Sequence, residues 1–587
     1  MALVSPGVET FEIDVGGSVA EAGGSPTAAV IDAKWGPADK RMSITSLVEL
    51  EDTFEKPVAA NPDGSANSQY LRWFSVADYL NYGGNAIVAR TVNAAARNSC
   101  NAGSVQLIKN KTDFDGATVT SHKFVARYPG VIGNSITVSV ATGSISFLAA
   151  GSTNWGGTGL QFDGLFDGAP GTSTFVAANH AVGKDEMHIV VYDQDGLITG
   201  EKYKVLETFA YVSKAADATG ETGGSIFYET VINETSQYIY AGGLDITAVG
   251  DNAAYGSNSN GNTDTAFQND DAAATEMTLD GGVDGTTVVG DAISTLQLLF
   301  TSREDVDISG IITSKWGAIG TAAVTYEAAA IVIAAARKDC IVFGSVDVMT
   351  TTGIPEASSI AAASAAAWTT ALSGRSSYAV IDSGWHHKYD KFADVSRWIP
   401  LNGHTAGIYS RLSRDSEIFF SPGGFTRGNL SGVGQLAWNP TQAERDTLYK
   451  DNVNPIVNFP GRGTILFGDK TYVSKPGSFD RINIRSLFIL LRKSIATFSE
   501  DILFETNDAF TRSTFVSSVD SFLANIQSRR GLEEYRVVAD ASNNTATVLN
   551  NNQFVADIFV RPLNSINFIR LNFVSVRSGV EFSELAG

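Results

Sequence analysis

Residues 478–531 read SFDRINIRSLFILLRKSIATFSEDILFETNDAFTRSTFVSSVDSFLANIQSRRG. Ile484, Leu487, Phe488, Leu491, Ile495, Phe498 and Ile502 recur at steps of three and four, the spacing that lines one face of an α-helix. Phe515, Val519, Phe522 and Ile526 repeat the pattern, so a second helix is predicted, joined to the first through Glu505-Thr506-Asn507-Asp508. Arg529-Arg530-Gly531 suits its end, with positive charge at the negative pole of the dipole and a glycine for the left-handed residue beyond. Arg481, Arg485, Arg492 and Lys493 lie off the apolar stripe. With Arg512, Arg529 and Arg530 they give the hairpin a basic side on a chain of formal net charge −21. Periodicity by itself also fits an ordinary core hairpin with solvated arginines.

The chain around this hairpin is long and acidic. Its 587 residues exceed what one core organises, so three or more domains are expected. Residues 96–285 carry 22 acidic against 9 basic side chains, and no basic residue falls between Ala215 and Ser302. Residues 461–536 carry 11 basic against 9 acidic ones, so positive potential gathers at the C-terminal part and negative potential in the middle. Without a long Lys/Arg stripe, direct binding to nucleic acid is not expected. The opening Met-Ala-Leu-Val-Ser-Pro has no signal-peptide pattern, and the longest apolar run, Ala328 to Ala336, is too short to span a bilayer, so no membrane insertion is expected. Two cysteines, Cys100 and Cys340, make neither a disulfide framework nor a zinc cluster.

In chain order, residues 1–24 form an arm in which Phe11, Ile13 and Val15 alternate with Glu12 and Asp14 before a Gly/Ser/Ala tether. A lone strand must pair with a sheet edge, in its own domain or in a neighbour. Residues 25–95 begin an α/β unit: strand Ala28 to Ala33, helices Thr45 to Phe54 and Gln69 to Asn81, strand Ala86 to Val92. Residues 96–285 read as a β-rich insertion, with strands at Ser135 to Val140, His188 to Tyr192, Lys202 to Leu206 and Tyr238 to Tyr240. Its polar run 250–274 reads as a surface loop. Residues 286–460 resume the α/β unit with a helix through Leu296 and Leu299 and a strand at Val306 to Ile312. An alanine-rich helix to Arg337, strand Cys340 to Val346, helix Glu356 to Leu372 and strand Tyr378 to Ile381 follow. This βαβαβ rhythm predicts a mainly parallel sheet. Residues 461–587 hold the hairpin, a small β-sheet and a last strand in which Ile569, Leu571 and Phe573 face one way and Phe568, Val574 and Val576 the other. The fold class is α/β, α+β overall, in several domains.

Catalytic and metal-binding patterns are not found. His122, His180, His188, His386, His387 and His404 do not follow HExxH spacing. Trp385-His386-His387 sits at a strand end, where neighbours point in opposite directions, and reads as structural or solvated. Asp193-Gln194-Asp195-Gly196 lacks the ligand spacing of a calcium loop and reads as a hairpin turn. Asp280 to Gly285 reads as the turn that returns the chain to the α/β unit. No cofactor is expected and the chain does not read as an enzyme.

Arg481-Ile482-Asn483-Ile484-Arg485-Ser486-Leu487-Phe488, Phe504-Glu505-Thr506-Asn507, Phe522-Leu523 and Gly531-Leu532 resemble the C-terminal domain of contractile tail sheath proteins of myovirus-type bacteriophages. The family pattern has proline where Thr506 stands. Further similar pieces follow in the same order: Ser5-Pro6-Gly7-Val8, Trp35-Gly36-Pro37, Tyr79-Leu80, Ala126-Arg127-Tyr128-Pro129-Gly130, Ala406-Gly407-Ile408-Tyr409, Ser421-Pro422-Gly423-Gly424-Phe425 and Asn452-Val453-Asn454-Pro455. The resemblance implies a virion structural protein, assembled in the host cytoplasm into stacked, hexameric rings around an inner tail tube, with baseplate and tail terminator proteins at the ends. Contraction would drive the tube through the host envelope for genome delivery. It further implies strands exchanged between neighbours, assigned to Phe11, Ile13 and Val15 and to Ile569, Leu571 and Phe573. The arginine-rich side of the hairpin, Arg481, Arg485, Arg492, Lys493, Arg512, Arg529 and Arg530, is the expected tube contact. Alternatives are the sheath of a bacterial contractile injector, a carbohydrate-binding tail protein using the insertion, and an α/β enzyme built on residues 290–382.

Overall fold

The computed structural model describes residues 26–57, 68–101, 106–117, 123–143, 147, 155, 160–179, 185–241, 275–350, 353–372 and 374–567. The expected arm strand with Phe11, Ile13 and Val15, the terminal residues Ile569, Leu571 and Phe573, and the polar run 250–274 lie outside the described residues. The described chain divides into two units, of which the smaller takes residues 416–422 and 476–567.

The larger unit opens with strands β1 (Thr27–Ile31) and β2 (Arg41–Ile44), helices α1 (Leu47–Phe54) and α2 (Gln69–Leu80), and β3 (Ala86–Arg90). The insertion contributes β4 (Phe124–Ala126), β5 (Ile136–Ala141), β6 (Glu186–Asp193), β7 (Lys204–Ser213), β8 (Ile239–Ala241) and β9 (Thr275–Thr278). The chain then returns through α3 (Val289–Phe300), β10 (Gly310–Ile312), α4 (Thr325–Arg337), β11 (Ile341–Ser345), α5 (Ser358–Ala371) and β12 (Ala379–Asp382).

Six of these strands make one sheet in the order β12-β11-β10-β1-β3-β2, parallel throughout except where β2 runs against β3. This is the sheet that the βαβαβ rhythm predicts. All residues of β1 and β11 are buried, as strands covered on both faces must be. The strand expected from Val306 starts only at Gly310. Residues before it are held instead by Arg337, which donates to the carbonyls of Phe300, Ser302 and Val306 at 2.9, 2.6 and 2.8 Å.

The insertion is β-rich, with a four-stranded antiparallel sheet β7-β6-β5-β9 and a separate β4–β8 pair. Ile136, Val138 and Val140 alternate along β5 to meet Met187, Ile189 and Val191 of β6 in a core that also takes in Trp35 from the segment after β1. After β6 the buried Asp193 carboxylate accepts the N–H groups of Gly196, Leu197, Ile198 and Thr199 at 2.8 to 3.1 Å. Asp193-Gln194-Asp195-Gly196 is therefore a hairpin turn whose first carboxylate is taken up by backbone. Arg90, at the end of β3, donates at 2.7 Å to each of the carbonyls of Ala33, Gly36 and Pro129. Lys34 pairs with Asp284 at 2.5 Å. The turn at Asp280 to Gly285 thus returns the chain to the central sheet, and the insertion is bolted to it at both ends.

Beyond β12 come the hairpin β13 (Trp385–Asp390) and β14 (Val395–Pro400), helix α6 (Asn402–Asp415), and the antiparallel pair β16 and β17 (Ile456–Phe459 and Gly463–Leu466), with the short β15 (Gln435–Leu436) against β13. This pairing keeps residues 461–475 with the larger unit. Helix α6 lies against α2 at a point where a Cβ on Gly403 would come 2.1 Å from the Ser75 carbonyl oxygen, so only glycine permits that approach.

The smaller unit holds α7 (Ile482–Glu500), α8 (Ala509–Ser528) and the antiparallel pair β18 (Leu532–Val538) and β19 (Asp557–Pro562). Leu487, Leu491 and Phe498 of α7 meet Phe515, Val519, Phe522 and Ile526 of α8, as the periodicity predicts, and Phe419 joins them from the segment 416–422. Asp508 caps α8, its side chain accepting the Thr511 N–H at 2.8 Å. The end of α8 differs from the expectation by one residue. Arg530, with φ +69°, occupies the left-handed position, and the N–H of Gly531 closes on the Ile526 carbonyl at 2.9 Å. Glycine is needed at 531 for space, because a Cβ there would meet Ile526 Cγ2 at 2.5 Å.

Candidate assembly interface

The smaller unit gathers the basic side chains, and the structure disperses them. Arg485 is a correction: it is buried, 8% exposed, with its guanidinium 3.9 Å over the Phe479 ring. The first turns of α7 are buried on every side, Ile482 through Leu487 alike, so a position off the main apolar stripe is not thereby on the surface. Arg481 is half-buried and lies 3.6 Å from Asp480. Arg529 points one Nη at both carboxylate oxygens of Glu417, at 2.9 and 3.0 Å. Arg512 folds back on Asn507, donating to its side-chain oxygen at 2.8 Å. Lys493 is half-buried, whereas Arg492 and Arg530 are exposed. Arg512 begins α8 and Arg530 follows its end, and a helix of 20 residues separates them by about 27 Å. The arginines therefore do not make one patch.

Two further features of this unit carry no sequence signal of their own. The turn between the helices exposes Leu503 at 63%, Phe504 at 105% and Phe510 at 65%. The β18–β19 ladder has only two strands among the described residues, and its outer face presents Phe559 at 59% exposure.

The larger unit contains one group able to hold a cation among the described residues, Asp78, His386 and His404, all buried. His386 points inward from β13, while the adjacent His387 packs against Trp398 with ring centroids 4.7 Å apart, the opposite orientations expected of strand neighbours. His386 Nε2 and His404 Nε2 lie 3.2 and 3.4 Å from Asp78 Oδ2, and the Lys388 ammonium donates to Asp78 Oδ1. Tyr82 Oη lies 3.0 Å from His404 Nδ1 and accepts the Ser431 N–H at 3.0 Å. A fixed cation already sits on the carboxylate, so the arrangement works as a polar tie between α2, β13 and α6.

Residues 474–575 match the family model described as phage tail sheath C-terminal domain. The tail sheath protein of Enterobacteria phage T4 is 30% identical over 677 aligned positions that cover all of both chains. The chain belongs to the tail sheath protein family. The tail sheath protein of Vibrio phage KVP40 is 46% identical over 216 residues, 37% of this chain and 32% of that one. That of Salmonella phage ViI is 28% identical over 89% of each. Among solved structures, the sheath tail protein from Listeria innocua superposes with a TM-score of 0.53 at 11% identity over 93% of each chain, a likeness of fold. This sheath protein is thus a structural subunit of a contractile tail sheath, with an α/β core, a β-rich insertion and a C-terminal helical hairpin with a small sheet.

Proposed function

We propose that this sheath protein polymerises as stacked rings around an inner tail tube and works without catalysis. Contraction of the polymer drives the tube through the host envelope, with energy drawn from better interfaces in the contracted state. Assembly takes place in the host cytoplasm, the product is part of the virion, and baseplate and terminator proteins bound the polymer at its ends.

The observation that carries this reading is the β18–β19 pair. A two-stranded ladder is marginal by itself, and each of its strands has an outer edge with no partner among the described residues. Strands donated by neighbouring subunits, one carrying Phe11, Ile13 and Val15 and one carrying Ile569, Leu571 and Phe573, complete it through main-chain hydrogen bonds. Such links persist while side-chain contacts are exchanged.

Contact with the tube falls to the exposed Arg492, with Lys493 beside it in the middle of α7. Exposed charge pairs contribute only ~0–1 kcal/mol each, so many subunits hold the tube together while each contact can release. Negative-stain electron microscopy at rising concentration tests the assembly: the full chain forms wide regular tubes, and a chain lacking residues 1–18 stops at monomers or rings. Monomers in both cases overturn the reading. For the tube contact, Arg492→Glu with Lys493→Glu should abolish co-assembly with the tube and leave self-association intact.

A further inference from the structure

We infer that the turn between α7 and α8 is a plug for a second copy of this chain, seated at the opposite end of that copy's hairpin. The inference rests on the self-assembly reading and adds to it a contact made by no donated strand.

Leu503, Phe504 and Phe510 stand out of the turn with most of their surface in water. Phe504 is also held in the left-handed region, φ +72°, where a bulky residue is strained. The turn beneath is pinned rather than loose. Asn507 Nδ2 donates to the Gln553 carbonyl at 2.9 Å, Arg512 holds Asn507 from the other side, and Asp508 caps α8. A strained aromatic side chain displayed on a braced turn is built to enter a partner's surface.

Charge identifies the partner. Glu500, Asp501, Glu505 and Asp508 surround the apolar tip, and its one arginine, Arg512, is bonded to Asn507. The other end of the hairpin has a slight excess of positive charge: Arg481, Arg485, Arg529, Arg530 and Arg561 lie there with Asp480, Glu417, Glu533 and Glu534. It also offers apolar surface, the half-buried Phe479 edge-on to Phe488 at 4.9 Å. The two ends of a 19-residue helix lie about 27 Å apart, too far to meet within one copy. An acidic, aromatic tip and an arginine-rich, aromatic base are complementary between copies. A head-to-tail contact of this kind does not close on itself, so it propagates into rings or helices.

The two natural cysteines, Cys100 and Cys340, are buried, so surface cysteines can be introduced one at a time. Copies carrying Thr506→Cys and differently tagged copies carrying Ser528→Cys, both exposed positions beside the contact residues, are mixed, allowed to polymerise and treated with a short bismaleimide. The expected product is a covalent dimer joining the two tags. In parallel, Phe504→Asp, at a fully exposed position, should lower the polymerised fraction at least tenfold with an unchanged melting temperature. Polymers that give no mixed dimer overturn this contact and leave the assembly reading standing, as does a cross-link from residue 506 to the tube protein instead. Failure of the unmodified chain to polymerise overturns both.

Discussion

Oδ2 of Asp78 on α2 lies 3.2 Å from Nε2 of His386 on β13, and both side chains are buried. Burial by itself would raise the Asp78 carboxyl, but His404, Lys388 and His386 around it outweigh that and hold it well below 3.8. Asp78→Asn leaves the Lys388 ammonium without its anion, and the loss should be on the order of 3 kcal/mol, read from urea denaturation.

His386 responds to acid. Burial keeps its imidazole below the usual 6.5, against the pull of Asp78. The folded chain then binds fewer protons here than the unfolded chain, so stability from this group is lost as pH falls through 6.5. In His386→Gln this loss is absent. The melting temperature of the variant relative to the natural chain should rise on going from pH 7.5 to 5.

Glu327 on α4 has the opposite sign. It is buried beside the Lys315–Asp347 pair, neither carboxylate oxygen has a hydrogen-bond partner, and burial pushes its carboxyl from 4.5 up to about 7. The folded chain holds this proton between those values, so stability falls as pH rises from 4.5 to 7. Glu327→Gln should gain on the natural chain across that interval, by at most on the order of 3 kcal/mol, measured as the difference in unfolding free energy at pH 5 and pH 8.

Gly403→Ala puts a methyl group against the Ser75 carbonyl. Because that obstacle is backbone, α2 and α6 must move apart, and the cost should be about 1–3 kcal/mol. Chemical denaturation measures it.

Arg530→Gly should stabilise the smaller unit. An L-residue in the left-handed conformation is disfavoured by about 1–2 kcal/mol, and glycine relieves part of it. A rise in the melting temperature of the full chain is the expected result.

The alternation of buried strands with helices of 12 to 14 residues made the parallel sheet legible, because period and element length reinforce one another there. The α7–α8 seam was legible for the same reason. Arg485 was misread because a helix buried on all sides shows no polar face to contrast with its stripe. The strap around Phe419 is too short to show a period, so nothing local placed it with α7 and α8. Asp78 and His386 stand 308 positions apart, and a polar tie across that separation exists only once α2 and β13 are packed. The exposure of Phe504 was hidden too, since an aromatic residue in a sequence reads first as core.

The Arg90 guanidinium, held by three carbonyls from both sides of the junction, has a mechanical meaning. A hydrogen-bonded fork with no slack cannot act as a hinge, and Lys34 with Asp284 pins the return crossing. A load that turns the insertion against the central sheet has first to break the Arg90–Pro129 hydrogen bond and the Lys34–Asp284 pair, as a handle must shear its pin before it turns on its shaft.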